Sequence, residues 1–261
     1  MRRSHFRLPA LSPRFIHVWR RNFLVWRKLA IPSMLGNLAD PMFYLLALGY
    51  GLGSLVSDVQ GMSYVSFLAG GIVCSSTMNT ATFEVLWSAF SRMHNQRTWE
   101  SIMNAPIALD DIVLAEAIWA ASKSLLSGSA ILLVSWLLGL WHSSVTLWVV
   151  PLTFLIGITF ATMGLIVTAV APSYDFFMYY FTLVITPMLL ASGVFFPLDQ
   201  LPVALQWTAS ALPLTHAIAL ARPLVHGEYP PDAMAHIAFM LGATALCYYF
   251  ALVLMRRRLL S

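Results

Sequence analysis

Six stretches of this chain run for about 20 residues almost without charge, the length that a helix needs to cross about 30 Å of hydrocarbon. They cover about residues 33–53, 63–87, 112–140, 147–170, 176–194 and 233–255. Of the 261 residues, 59% are apolar and only 10% charged, which is far from the composition of a soluble domain. Backbone polar groups in lipid must be satisfied within their own segment, so the pattern predicts a helix bundle. The expected fold is an all-α polytopic membrane protein with six transmembrane helices.

One region breaks the pattern. Residues 191–222 are too interrupted by Pro197, Pro202 and Pro213 to form one straight span, and too apolar for an aqueous loop. They predict two short helices that dip into the membrane from one side and return, a re-entrant outer hairpin over about 195–222. Irregular backbone survives at that depth only where protein or a water-filled cavity satisfies it.

The first 32 residues hold Arg2, Arg3, Arg7, Arg14, Arg20, Arg21, Arg27 and Lys28, interleaved with Phe15, Ile16, Val18, Trp19, Phe23, Leu24 and Trp26. From about Arg14 this reads as an interfacial helix, lying in the headgroup plane with its apolar side in the bilayer. A cleavable signal peptide is not expected, because no uncharged apolar core precedes a small-residue cleavage site. Arg92 and Arg97 lie between spans two and three, and Arg256, Arg257 and Arg258 are expected to stop span six and open a short basic tail, 256–261. By the positive-inside rule, both termini are cytoplasmic and the broken stretch faces out. The net charge of +4 is thus a topological signal, and no nucleic-acid partner is expected. Cys74 and Cys247 fall inside apolar spans, so free thiols are expected.

Within the spans, Asp40-Pro41 predicts a bend in span one, and Thr186-Pro187 a kink in span five. Gly71, Ser75 and Asn79 recur every four residues on span two, a face suited either to close helix contact or to an aqueous path. Glu116 and Lys123 stand two turns apart on one face of span three. They are read as a loose pair, or as a proton relay. Residues 88–106 leave the membrane as an amphipathic segment with Met93, Trp99, Ile102 and Met103 among charges.

The chain carries no GxxxxGK[ST] phosphate loop, HExxH, CxxC or GxSxG, and its histidines have no metal-ligand spacing. His216 reads as a hydrogen-bonding filler. Catalysis and a bound metal are therefore not expected in this chain.

The six-span plan, the segment after span two, and SGVFFPLDQLP (192–202) followed by LPLTHAIALAR (212–222) resemble the ABC-2 type exporter permeases. The stretches at 19–41, 90–100 and 171–202 are similar to the nodulation protein J branch, the permeases of lipo-chitooligosaccharide exporters. The resemblance implies a transmembrane domain over 33–255, working as two copies of the chain with two copies of a separate ATPase. The chain itself would hold no cofactor, since ATP and magnesium would be bound by that partner. Residues 88–106 would be the cytoplasmic coupling helix, meeting the ATPase through Arg92, Met93, Arg97, Trp99, Glu100, Ile102 and Met103. Phe43, Tyr44, Asn79, Tyr179 and Tyr180 are candidates for the translocation path, and Phe195, Phe196, Pro197, Pro202 and Pro213 for an outer gate. The implied substrate is a glycolipid or other amphipathic compound, moved outward among membrane lipids. Against this stand a gradient-driven carrier using Asp40, Glu84 or Lys123, and a scaffold or lipid-modifying enzyme.

Overall fold

The computed structural model describes residues 5–56, 59, 61–140 and 143–260, apart from the side chains of 37, 38 and 40. The side-chain role expected of Asp40 thus lies outside the described residues, while the backbone stays helical through Pro41. Among the described residues there is no strand, only an isolated bridge between Val59 and Met62.

The helices run in order as α1 (Phe15–Trp26), α2 (Ala30–Gly51), α3 (Tyr64–Phe83), α4 (Thr98–Met103), α5 (Leu109–Leu137), α6 (Val149–Val170), α7 (Phe176–Tyr180), α8 (Thr186–Ala191), α9 (Val203–Ser210), α10 (Pro213–His226) and α11 (Ala233–Leu259). Residues Leu109–Leu137, Ser144–Val170 and Ala233–Leu259 are long and apolar enough to cross a membrane by length and composition. A π turn, Phe181–Ile185, joins α7 to α8 just before Pro187, whose missing N–H leaves a carbonyl one turn earlier without its usual donor. The continuous helix Phe176–Ala191 is shorter than the others, about 24 Å at 1.5 Å per residue.

α3 is the centre of the bundle. Its neighbours are α2, α5, α6 and α10, and most of its residues are buried. α5 and α6 pack most closely of all. A Cβ on Gly157 would lie 2.7 Å from Ser124 Cβ and 2.9 Å from Ala121 Cα, so only glycine lets the two backbones approach this far. Gly71 serves the same purpose within α3, where an added Cβ would come within 2.6 Å of the Val194 carbonyl oxygen.

α3 does not stop at Trp87. It continues through a π turn at Glu84–Ala89 and a second at Ser91–Asn95. The chain then breaks at Arg97, which is left-handed at φ 47°, and α4 follows with six residues. The expected single helix over 88–106 is therefore two pieces, one continuous with α3. At the other end of the bundle the prolines act as punctuation. Pro202 precedes α9, Pro213 opens α10, where its missing donor is harmless, and Gly227 at φ 93° ends it.

The basic run at 256–258 does not end α11, which reaches Leu259. Arg256 instead turns inward to a buried ion pair with Asp110. Arg258 caps α6, its Nη1 donating to the carbonyls of Thr168, Ala169 and Ala171 at 2.8–3.0 Å. A cation at a helix C-terminus satisfies orphan carbonyls and the dipole together.

α1 lies along α5, with Val18 and Asn22 buried. Trp19, Phe23 and Trp26 gather around Trp119, and Trp19 Nε1 donates to Ser122 Oγ at 3.1 Å. Part of the apolar face expected to meet lipid is thus spent on α5. Ile16, Leu24 and Val25 remain exposed.

Candidate functional site

Two features stand apart from ordinary packing: a groove beside α3 and a charged foot at the end of the bundle where α3 runs into α4.

The groove encloses about 230 Å³ between α2, α3 and α8. Gly36, Pro41 and Tyr44 line one wall, Ser75, Asn79 and Phe83 the other, with Leu189 and Phe195 closing it. The small-residue face of α3 divides between contact and groove. Gly71 takes the close contact, while Ser75 and Asn79 open on the groove. Asn79 Oδ1 is buried without a hydrogen-bond partner. Tyr44 faces Phe195 with ring centroids 6.3 Å apart, so a path candidate and a gate candidate meet. The remaining candidates do not join them. Phe43 and Tyr179 are on the exposed face, 70% and 64% accessible. Tyr180 is turned inward near Cys247, its hydroxyl also without a partner.

Phe196 is half-buried and Pro197 buried beside the glycine turn at Gly193, φ 80°. Pro202 is exposed and Pro213 buried. Arg222 ties this end together. Its guanidinium lies 3.6 Å from the Phe67 ring centroid and donates to the Gly193 carbonyl at 2.6 Å. His216 is hydrogen-bonded, as read from the sequence. Its Nε2 donates to the Ser210 carbonyl at 2.9 Å, leaving Nδ1 to accept from His236 Nδ1 at 2.8 Å.

The foot differs from expectation in direction. Trp99 is fully buried and Met93 is 3% exposed, so neither is a surface anchor. Ile102 and Met103 are half-buried against the core. The outward face is polar instead, presenting His94, Gln96, Arg97 and Glu100. Arg92 points inward and bridges two carboxylates, Glu84 at 2.9 Å and Glu116 at 2.5 Å. Burial alone would draw the Arg92 pKa down. The Glu116 and Glu84 carboxylates outweigh that and hold it above its ordinary value.

The loose Glu116–Lys123 pair is also corrected. Lys123 Nζ bonds Glu84 at 2.8 Å, and Glu116 belongs to Arg92. Trp119 Nε1 adds a bond to Glu84 at 2.9 Å. Two carboxylates and two cations thus close a balanced cluster between α3, α5 and the foot. A cavity of about 290 Å³ lies beside it, lined by Arg21, Trp26, Ser88, Gln96 and Lys123 among others. Sequence reading missed Asn22 and Trp119 as parts of the foot, and Asp110 as the partner of Arg256. The available signal was the burial of carboxylates in apolar stretches, which demands partners.

Among the described residues, a helical bundle with long apolar helices, a groove of mixed polar and aromatic lining and a charged foot fits a membrane transport component. The ABC-2 type transporter family model matches residues 13–225, and the chain belongs to that family. It is 47% identical to nodulation protein J of Rhizobium leguminosarum bv. viciae, across 97% of this chain and 98% of the relative. It is 45% identical to nodulation protein J of Rhizobium meliloti (strain 1021), with 97% of both chains covered. The inner membrane transport permease YadH of Escherichia coli (strain K12) is 24% identical over 77% of this chain and 78% of its own length.

Proposed function

We propose that this chain is the permease subunit of an ATP-driven exporter. Two copies would assemble with two copies of a separate ATP-binding subunit. Together they would move a lipid-linked or amphipathic saccharide, of the lipo-chitooligosaccharide kind, outward across a bacterial inner membrane. The observation that carries this reading is the 47% likeness to nodulation protein J along almost the whole chain. In this reading α2, α3, α5, α6, the α7–α8 unit and α11 are the six spans, and both termini are cytoplasmic. α9 and α10 form the outer gate, and the groove between α2, α3 and α8 belongs to the path.

The mechanism follows from the foot. Nucleotide binding would close the partner subunits, and their movement would press on the polar face of Gln96, Arg97 and Glu100. α4 has no rigid-body freedom of its own, because Trp99 and Arg92 are rooted in the bundle. A push there moves the end of α3 and opens the groove beside it. The aromatic and amide lining, Tyr44, Phe83, Phe195 and Asn79, suits a cargo with both sugar and acyl parts.

A gradient-driven carrier would need a carboxylate free to exchange its proton. Among the described residues, Glu84 and Glu116 are instead each held by cations, which disfavours that role for these two. The test is purification of the chain from its native membrane in mild detergent. An ATP-hydrolysing subunit in equal amount, and export by the reconstituted pair that stops without ATP, is the expected result. A chain that arrives alone, and transports on an ion gradient without ATP, would overturn the reading.

A further inference from the structure

Glu116 is the one carboxylate on which the parts of the foot converge. It sits on α5, 1% exposed. Its oxygens accept from Asn22 Nδ2 of α1 at 3.2 Å, from Arg92 Nε and Nη2 at 3.0 and 2.5 Å, and from Trp99 Nε1 of α4 at 3.2 Å. Arg92 precedes the left-handed break at Arg97 and Trp99 follows it. Glu116 therefore staples the two sides of the only break between α3 and α4.

That staple is needed for physical reasons. A six-residue helix is far below the length of about 12–15 residues at which helices hold their own shape in water. The non-glycine left-handed residue at its start is strained and persists only where surroundings enforce it. The π turns before the break are a second local departure, held by Arg92 between Glu84 and Glu116. Packing of the Trp99 ring fixes depth, but a hydrogen bond to a charged acceptor fixes direction.

We propose that Glu116 is the positioning residue of this transporter: its charged carboxylate sets the angle between α4 and α3 and joins both to α1, so that movement of α4 reaches all three helices at once. This rests on the reading of residues 88–106 as the foot on which the ATP-binding partner acts.

Two experiments test it separately. In the first, exposed His17 and Ser101 are replaced by cysteine in a chain lacking Cys74 and Cys247, and spin labels report the α1-to-α4 distance in detergent. Glu116→Gln, which keeps the shape and removes the charge, is expected to broaden the distance distribution clearly, and Trp99→Phe, which removes one donor, to broaden it less. Unchanged distributions in both variants would overturn the proposal, whatever the protein transports.

In the second, the complex with its ATP-binding subunit is reconstituted and export is measured per ATP hydrolysed. Glu116→Gln is expected to lower that ratio about tenfold while ATP hydrolysis continues, within the usual range of coupling between sites. Trp99→Phe should lower it by less than Glu116→Gln does, because Arg92 still holds the carboxylate through two hydrogen bonds. The double variant should be no worse than Glu116→Gln, because Trp99 acts through that carboxylate. An unchanged ratio in Glu116→Gln, or losses that multiply in the double variant, would overturn the proposal. A wild-type complex without ATP-driven export would instead overturn the functional reading, and the distance measurement would still decide the role of Glu116.

Discussion

Arg256, in the last turns of α11, and Asp110, in the first turn of α5, form an ion pair at 2.5 Å with both side chains 2% exposed. The pair also clamps the start of the chain. Arg256 donates to the carbonyls of His5, Arg7 and Leu8, and Asp110 accepts from the Ala10 N–H. Ser12 bonds Asp111 through its N–H and its hydroxyl, and Arg14 reaches the Pro106 carbonyl at the end of the foot. Breaking a buried pair from one side leaves a charge without a partner, at a cost of about 3–5 kcal/mol. Asp110→Ala is therefore expected to lower the detergent melting temperature and to speed tryptic cleavage at Arg7 and Arg14. Unchanged melting and cleavage would mean that the clamp contributes nothing.

Trp99→Ala should behave as a core truncation. With the ring fully buried, its loss is expected to cost about 3–5 kcal/mol of stability. Glu100→Ala, one residue along and exposed, should stay within about 0.5 kcal/mol of the parent. Thermal melting of the two purified variants distinguishes this from a surface anchor at Trp99, for which both would melt like the parent.

Gly71 and Gly36 form a matched pair of controls. An added methyl at Gly71 meets the backbone of Val194, whereas at Gly36 nothing lies within 4 Å. Gly71→Ala is expected to destabilise by about 1–3 kcal/mol through overpacking, and to displace the segment before α9. Gly36→Ala should be neutral or stabilise by about 0.5–1 kcal/mol, as for a glycine replaced inside a helix. Melting curves taken side by side read the contrast.

Asn79 separates a path from a packing role. Its Oδ1 is buried without a partner, so Asn79→Leu should cost little stability and can gain about 1 kcal/mol. Export in the reconstituted complex should nevertheless fall several-fold, because the groove wall turns apolar. A variant that melts lower yet exports normally would take the groove out of the path.

The helices were legible because long apolar runs admit few other folds, and Pro202, Pro213 and Gly227 mark breaks that a single sequence can reveal. The direction of Trp99 was not legible. Helical phase carried forward from α3 is reset by two π turns and by a left-handed residue, and neither has a reliable sequence signature. The Lys123 partner was misread for the same kind of reason. Spacing along α5 pairs it with Glu116, but Glu84 and Arg92 arrive from another helix and satisfy both better. Of the groove, Tyr44 and Asn79 were found because an aromatic and an amide are conspicuous in an apolar span. Tyr179 and Tyr180 do not line the groove: adjacent helical residues point about 100° apart at 3.6 residues per turn, so one ring is exposed and the other turned inward. The inward Arg256 was hidden inside a basic run that reads as a membrane stop.

In the proposed transporter, the polar face after α3 is gripped by an ATP-binding partner. A photo-reactive residue placed at 94, 100 or 136 in the chain co-expressed with that partner tests it most directly, since His94 and Glu100 face outward at the foot and Trp136 is exposed at the opposite end of α5. Irradiation should give a covalent permease–ATPase adduct from positions 94 and 100 and none from 136. Adducts absent from both foot positions, or equally strong from 136, would mean that the partner does not grip the foot.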